Sequence, residues 1–210
     1  MDNKKIKEFD IKKFIPKLQK SCFWLILIGF ALLFVYSLIF CTPIGTLENV
    51  MDEPLGPISE GKIMNQILLD MFPINNILIV LSIFGVIFAL GYKVTRTNIR
   101  GKYYISNFVY GFVSGIYSLV SAVLVLVFDI IYLNEYKALD FETINAELIS
   151  MVGESGTLDP NSSYIFIIGF ILVVILLLAS ASILFITTYK MIKQNKEAKL
   201  ELKGGIIWVS

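Results

Sequence analysis

The residues best placed to do chemistry lie in the charge-free run from Tyr103 to Phe128, around the segment "NFVYGFVSGIYS". At helical spacing, Asn107, Gly111, Gly115, Ser118 and Ala122 form one row of small residues. Beside it runs a hydroxyl row of Ser106, Tyr110, Ser114, Tyr117 and Ser121. Hydroxyls and an amide on one helix face could hydrogen-bond water or a solute along a path through a membrane. Glycines four apart could instead let helix backbones approach closely, within the chain or between chains. One ionisable residue follows, Asp129, of the kind that proton relays and ion sites need at membrane depth. It lies about 26 residues from the inner end of its run, roughly 39 Å of helix, so the spacing puts it at the outer interface as a solvated helix end.

Other chemistry finds little support. The chain has no histidine, and its two cysteines, Cys22 and Cys41, sit at opposite ends of one apolar run. About 19 residues of helix separate them, so they form neither a disulfide with each other nor a zinc site. The carboxylates Glu48, Asp52, Glu53, Glu60 and Asp70 follow no calcium-loop spacing and read as an acidic surface. The chain contains neither a Gly-x-Ser-x-Gly elbow nor a phosphate loop. Asn161 opens an "NSS" sequon that abuts an apolar run and is discounted. The expectation is a protein without catalytic, metal or cofactor sites.

The elements that position these residues follow from composition. The chain is 56% hydrophobic and 17% charged, and it contains four charge-free runs: Ser21–Leu47, Met71–Tyr92, Tyr103–Phe128 and Pro160–Tyr189. Roughly 20 apolar residues of helix span a hydrocarbon core about 30 Å thick, and each run is at least that long. An all-α integral membrane bundle of four transmembrane helices is expected, with spans at about 22–41, 74–92, 103–131 and 160–189. The first run is longer than a signal-peptide core and reads as a retained anchor. Sixteen of the 18 Lys and Arg residues fall before the first span, between the second and third, or after the fourth; Lys62 and Lys137 are the exceptions. Positive residues stay cytoplasmic, so both termini are expected inside, in a plasma (cytoplasmic) membrane. Twelve of the 17 acidic residues, Asp129 among them, fall on the opposite side.

Residues 1–20 form a basic amphipathic segment in which Ile6, Phe9, Phe14, Ile15 and Leu18 gather opposite lysines. Lys4, Lys5, Lys12, Lys13 and Lys17 suit a helix lying on an anionic inner leaflet, with Pro16 breaking it before the first span. The outer loops, about 42–73 and 132–159, each read as carrying a short amphipathic helix. In the first, Ser59 caps a helix with Ile63, Ile67, Leu68 and Met71 on one side, stopped by Pro73. In the second, Asp140 caps a helix bearing Phe141, Ile144, Leu148 and Val152, closed by Gly153. Asp159-Pro160 opens the last span. A short inner link, about 93–102, makes the second and third spans antiparallel neighbours, and residues 191–210 form a basic cytoplasmic tail. Tyr92, Tyr103, Tyr104 and Tyr189, with Tyr132, Tyr136 and Tyr164, mark the two interfaces as aromatic belts.

Small residues on other spans, Gly85 and Ala89 on the second and Ala179–Ser182 on the fourth, complement the third span's glycines, which favours packing over a pathway. The expected function is that of a non-catalytic subunit or accessory component of a larger membrane complex. The alternative is a small channel or transporter that forms its pathway as an oligomer, with the third span facing the axis. Expected partners are the bilayer and a homo- or hetero-oligomeric membrane protein, with no nucleic acid. Claudin-like and tetraspanin-like proteins share the two-loop tetraspan pattern, but their loop tryptophan and cysteine signatures are missing here, so membership in either does not follow.

Overall fold

The computed structural model describes residues 2–41, 59–95, 105–152, 161 and 164–205. Every described element is helical: α1 Asp2–Phe40, α2 Ser59–Thr95, α3 Ile105–Lys137, α4 Phe141–Val152 and α5 Tyr164–Gly205. Four of them hold stretches long and apolar enough to cross a membrane, at Lys17–Phe40, Met71–Val94, Ile105–Lys137 and Tyr164–Glu197.

The helices are longer than the apolar runs that define them. Pro16 does not break α1, and Pro73 lies inside α2. The separate short helix expected over Ser59–Met71 is therefore the first part of α2. A proline removes one backbone donor and clashes with the carbonyl four residues back, at a cost of about 3 kcal/mol. Long helical flanks on both sides propagate the helix regardless, because extension adds a bond for each residue fixed. At its far end α3 continues past residue 131 to Lys137, since no glycine or proline interrupts "IYLNEYK". It closes where Ala138 N–H donates to both Asn134 O and Glu135 O at 3.2 Å, and Leu139 N–H to Tyr136 O at 3.3 Å.

Asp140 then starts α4 as its residue type suggests. Its Oδ1 accepts from the backbone N–H of Glu142 (3.1 Å) and Thr143 (3.3 Å), and its Oδ2 accepts from Thr143 Oγ1 (2.7 Å). These bonds, the hydroxyl's first, hold the Asp140 carboxyl below its ordinary value of 3.8. Ile144 is buried and Phe141 half-buried. The side chains of Leu148 and Val152 lie outside the described residues, as do those of Ile63, Ile67 and Leu68. Also outside are Gly153, Asp159-Pro160, Tyr103 and Tyr104, most of the inner link, and the side chains of Lys4, Lys5, Lys12 and Lys13. Lys17 is described and exposed.

The chain divides into two compact units, Met1–Phe30 with Phe84–Val120 and Leu176–Ser210, and Ala31–Ile83 with Ser121–Ile175. In the first, Phe30 of α1 packs over Gly85 of α2 and lies 5.5 Å, centroid to centroid, from Tyr117 of α3. Leu177 of α5 closes on Gly29. In the second, Phe40 of α1 is a hub: its ring meets Phe72 of α2, Phe128 and Tyr132 of α3, and Phe166 of α5, all edge-on at 5.5–6.4 Å. Such T-shaped pairs contribute about 0.5–1.5 kcal/mol each beyond the area they bury. Segments of all four long helices thus pack as a bundle within each unit.

Tyr92, Tyr132 and Tyr136 belong to these cores, at 5% exposure or less, and are not belt residues facing lipid; Tyr164 and Tyr189 are exposed. Large apolar side chains dominate the exposed surface of the spans, from Ile77, Val80, Ile83, Phe84 and Ile87 on α2 to Ile165, Ile168, Ile175 and Ile186 on α5. Water would not tolerate so large a patch, whereas hydrocarbon covers it at no cost.

Candidate functional site

The two rows on α3 point differently from one another. Asn107, Gly111, Ser114, Gly115, Ser118, Ser121 and Ala122 are all buried, and Tyr117 is half-buried. Ser106 and Tyr110 are exposed, so the hydroxyl row turns inward only from Ser114 onward. The outward face of α3 carries Val109, Phe112, Val113, Ile116, Val120 and Val123. Its most polar face is therefore spent against the helices of its own chain.

In the first unit the glycines serve as notches for larger side chains, and not as the small-on-small contacts expected from sequence. The Thr188 hydroxyl of α5 occupies the place of a Gly111 β-carbon, with Tyr92 Cε2 at 3.8 Å from that point. A β-carbon on Gly115 would lie 2.9 Å from Phe185 Cε1, and one on Gly91 would lie 2.8 Å from Tyr110 Cε1. Tyr117 rests between Phe88 (4.8 Å) and Phe30 (5.5 Å). Nearby, Gln19 Nε2 reaches Met191 Sδ at 3.3 Å, and Cys22 Sγ lies 4.0 Å from Thr187 Oγ1. Phe108 packs on Ile15 and Met191. Lys93 places its ammonium 5.0 Å above the Phe23 ring, a cation–π contact that lets the stem follow apolar surface while the head stays wet. Both Asn107 amide atoms, and the hydroxyls of Ser114, Ser118 and Thr188, are buried without a hydrogen-bond partner among the described residues.

The second unit contains two features that spacing alone does not mark. Asn75 of α2 donates to Ser37 O (2.9 Å) and to Cys41 Sγ (3.0 Å), tying α2 to the end of α1. An asparagine inside an apolar run is the only signal for it. Asp129 departs from expectation: it is 4% exposed, not a solvated helix end, and its Oδ1 has no hydrogen-bond partner among the described residues. Position along a helix axis measures depth and says nothing of which way a side chain turns. Asp129 falls on the inward face because it lies seven residues beyond Ala122 and four beyond Val125, both fully packed.

Both cysteines are free thiols. Among the described residues no three His, Cys, Asp or Glu side chains gather as a metal site would require.

Four apolar spanning helices, packed around buried glycines, hydroxyls and aromatic rings, define a multi-pass membrane protein built as an all-helical bundle. Compared with models of known protein families, with curated proteins and with solved structures, the chain matches none.

Proposed function

We propose that this protein is a non-catalytic component, a subunit or accessory protein, of a larger membrane assembly. It would sit in the plasma (cytoplasmic) membrane with both termini inside, its basic N-terminal segment against the anionic inner leaflet. The observation that supports this best is the inward turn of α3. Asn107, Gly111, Ser114, Gly115 and Ser118 are buried inside the chain, so this face is used in packing and leaves apolar helix faces for lipid or a partner helix. The strongly asymmetric charge of the connecting segments supports the orientation. Purification from a mild detergent, with mass measurement of the intact particle, tests the assembly. A particle heavier than one 23.7 kDa chain and its bound detergent is expected, and a strict monomer with no co-purifying partner contradicts it.

A channel or transporter is the second reading, and the unpartnered polar atoms of Asn107, Ser114, Ser118 and Thr188 favour it. Its pathway would run inside one chain. An oligomer axis lined by the outward face of α3 would present Val109, Phe112, Ile116 and Val120, which offer no hydrogen bonds to a solute. Solute flux in liposomes, lost in Tyr117→Phe or Ser118→Val, would select this reading over the first.

A further inference from the structure

From the surroundings of Asp129 we infer that this residue is the binding group for a small cation. Its side chain is 4% exposed and lies within the spanning stretch of α3, yet its Oδ1 accepts no hydrogen bond and no salt bridge reaches it among the described residues. Its neighbours along the helix are apolar or aromatic, with Val125 and Phe128 fully packed and Tyr132 nearly so. A carboxylate removed from water is retained only when a counter-charge or hydrogen bonds replace its hydration. Ionisable groups at such positions mark ion or proton sites.

Among the described side chains, the elements of this unit offer no internal counter-charge. Residues 31–41 at the end of α1 and α2 from Met71 to Ile83 carry no charge, and neither does α5 from Tyr164 to Ile175. On α3 and α4 the other charged residues with described side chains are Glu135, Lys137, Asp140 and Glu142, all exposed. The remaining titratable groups there are the Cys41 thiol, held by Asn75, and the phenols of Tyr36, Tyr132, Tyr136 and Tyr164; none of these supplies a positive charge. With none among the described side chains, the counter-charge assigned to Asp129 is a proton or an alkali-metal cation. The inference is independent of the assembly reading, since it concerns one residue within one bundle.

The experiment is thermal unfolding of the full chain in lipid nanodiscs, in two arms. One arm varies sodium or potassium chloride at fixed pH, with choline chloride keeping ionic strength constant. The other varies pH from 8 to 5 without alkali cation. Saturation at a hundred times the dissociation constant raises Tm by about 5–10 °C for a chain of this size. Wild type is expected to show that rise in one arm, which identifies the cation, and Asp129→Asn is expected to lose it. No rise in either arm, or an equal rise in Asp129→Asn, overturns the inference. Should Asp129→Asn fail to fold, labelling of the wild-type protein with dicyclohexylcarbodiimide replaces it. Mass-mapped modification at Asp129 that alkali cation suppresses, or that persists at pH values where the exposed Glu135 and Glu142 no longer react, supports the site; modification that cation leaves unchanged and that falls off with pH as those exposed carboxylates do overturns it.

Discussion

The Thr188 hydroxyl sits where a β-carbon of Gly111 would be, so that α3 and α5 meet through a glycine and a threonine with nothing between them. The consequence of this close approach is steric. Gly111→Ala must shift Thr188 or its helix, or force the Thr188 side chain into its other rotamer, because the hydroxyl leaves no room for a β-carbon. The expected cost is about 1–3 kcal/mol of stability. Thr188→Ala in the same chain should restore most of it, while Thr188→Ala alone costs less. Unfolding of the four chains in mixed micelles checks this, and additive single effects would show that the contact does not exist.

Gly115 should be more forgiving. A β-carbon there meets the ring edge of Phe185, which is half-buried and ends a flexible side chain. Gly115→Ala is therefore expected to destabilise less than Gly111→Ala, whereas Gly115→Leu is expected to disrupt the bundle. At Gly85 the Phe30 ring itself fills the space, so Gly85→Ala should be at least as damaging as Gly111→Ala. Ranking the three alanine variants by Tm decides the matter.

Much of this architecture is readable from the chain, and the limits are physical. Four charge-free runs announce four spans because hydrocarbon tolerates nothing else over that length. The glycine row of α3 is visible because helical periodicity places residues three and four apart on one face. What meets that face is not visible: Phe185 and Thr188 lie about 70 residues away in sequence and became partners only through packing. Pro16 and Pro73 mislead because a local penalty of a few kcal/mol is overridden by long flanking helices. Tyr92, Tyr132 and Tyr136 mislead similarly, since a tyrosine near a helix end suits an interface or a core equally well. Asp129 shows the same limit most sharply, its depth being legible and its direction not.

Asn75 anchors α2 to the end of α1 through Ser37 O and Cys41 Sγ. Interhelical hydrogen bonds in membranes average about 0.6 kcal/mol and reach about 1.7. Asn75→Leu should therefore cost no more than that range. It should also leave Cys41, which is half-buried, more reactive toward a membrane-permeant maleimide. Unchanged labelling of Cys41 would show that the Asn75 amide does not hold the thiol.

Asp140 supplies a pH-dependent cap. Its folded-state carboxyl is held below 3.8, so the ionised cap stabilises α4 at pH values above 3.8. That contribution is lost as pH falls below 3.8 through the lowered folded value. The amides of Glu142 and Thr143, which the carboxylate caps, should be better protected at pH 6 than at pH 3, after correction for intrinsic exchange rates. Asp140→Asn, which caps without ionising, should remove the difference; a pH effect that survives in that variant would place its origin elsewhere.

The polar face of α3 is turned into its own bundle, and a face so buried is expected to be closed to water. Single cysteines, introduced into a chain whose Cys22 and Cys41 are replaced by alanine, carry a spin label at Ser114, Ser118, Ile116 and Val120 in lipid nanodiscs. Collision with oxygen, which partitions into lipid, and with a water-soluble nickel chelate is then measured. Labels at Ile116 and Val120 should collide freely with oxygen, while those at Ser114 and Ser118 should collide weakly with both reagents. Strong collision of the nickel chelate at Ser114 and Ser118 would reveal an aqueous path along α3 and contradict the account.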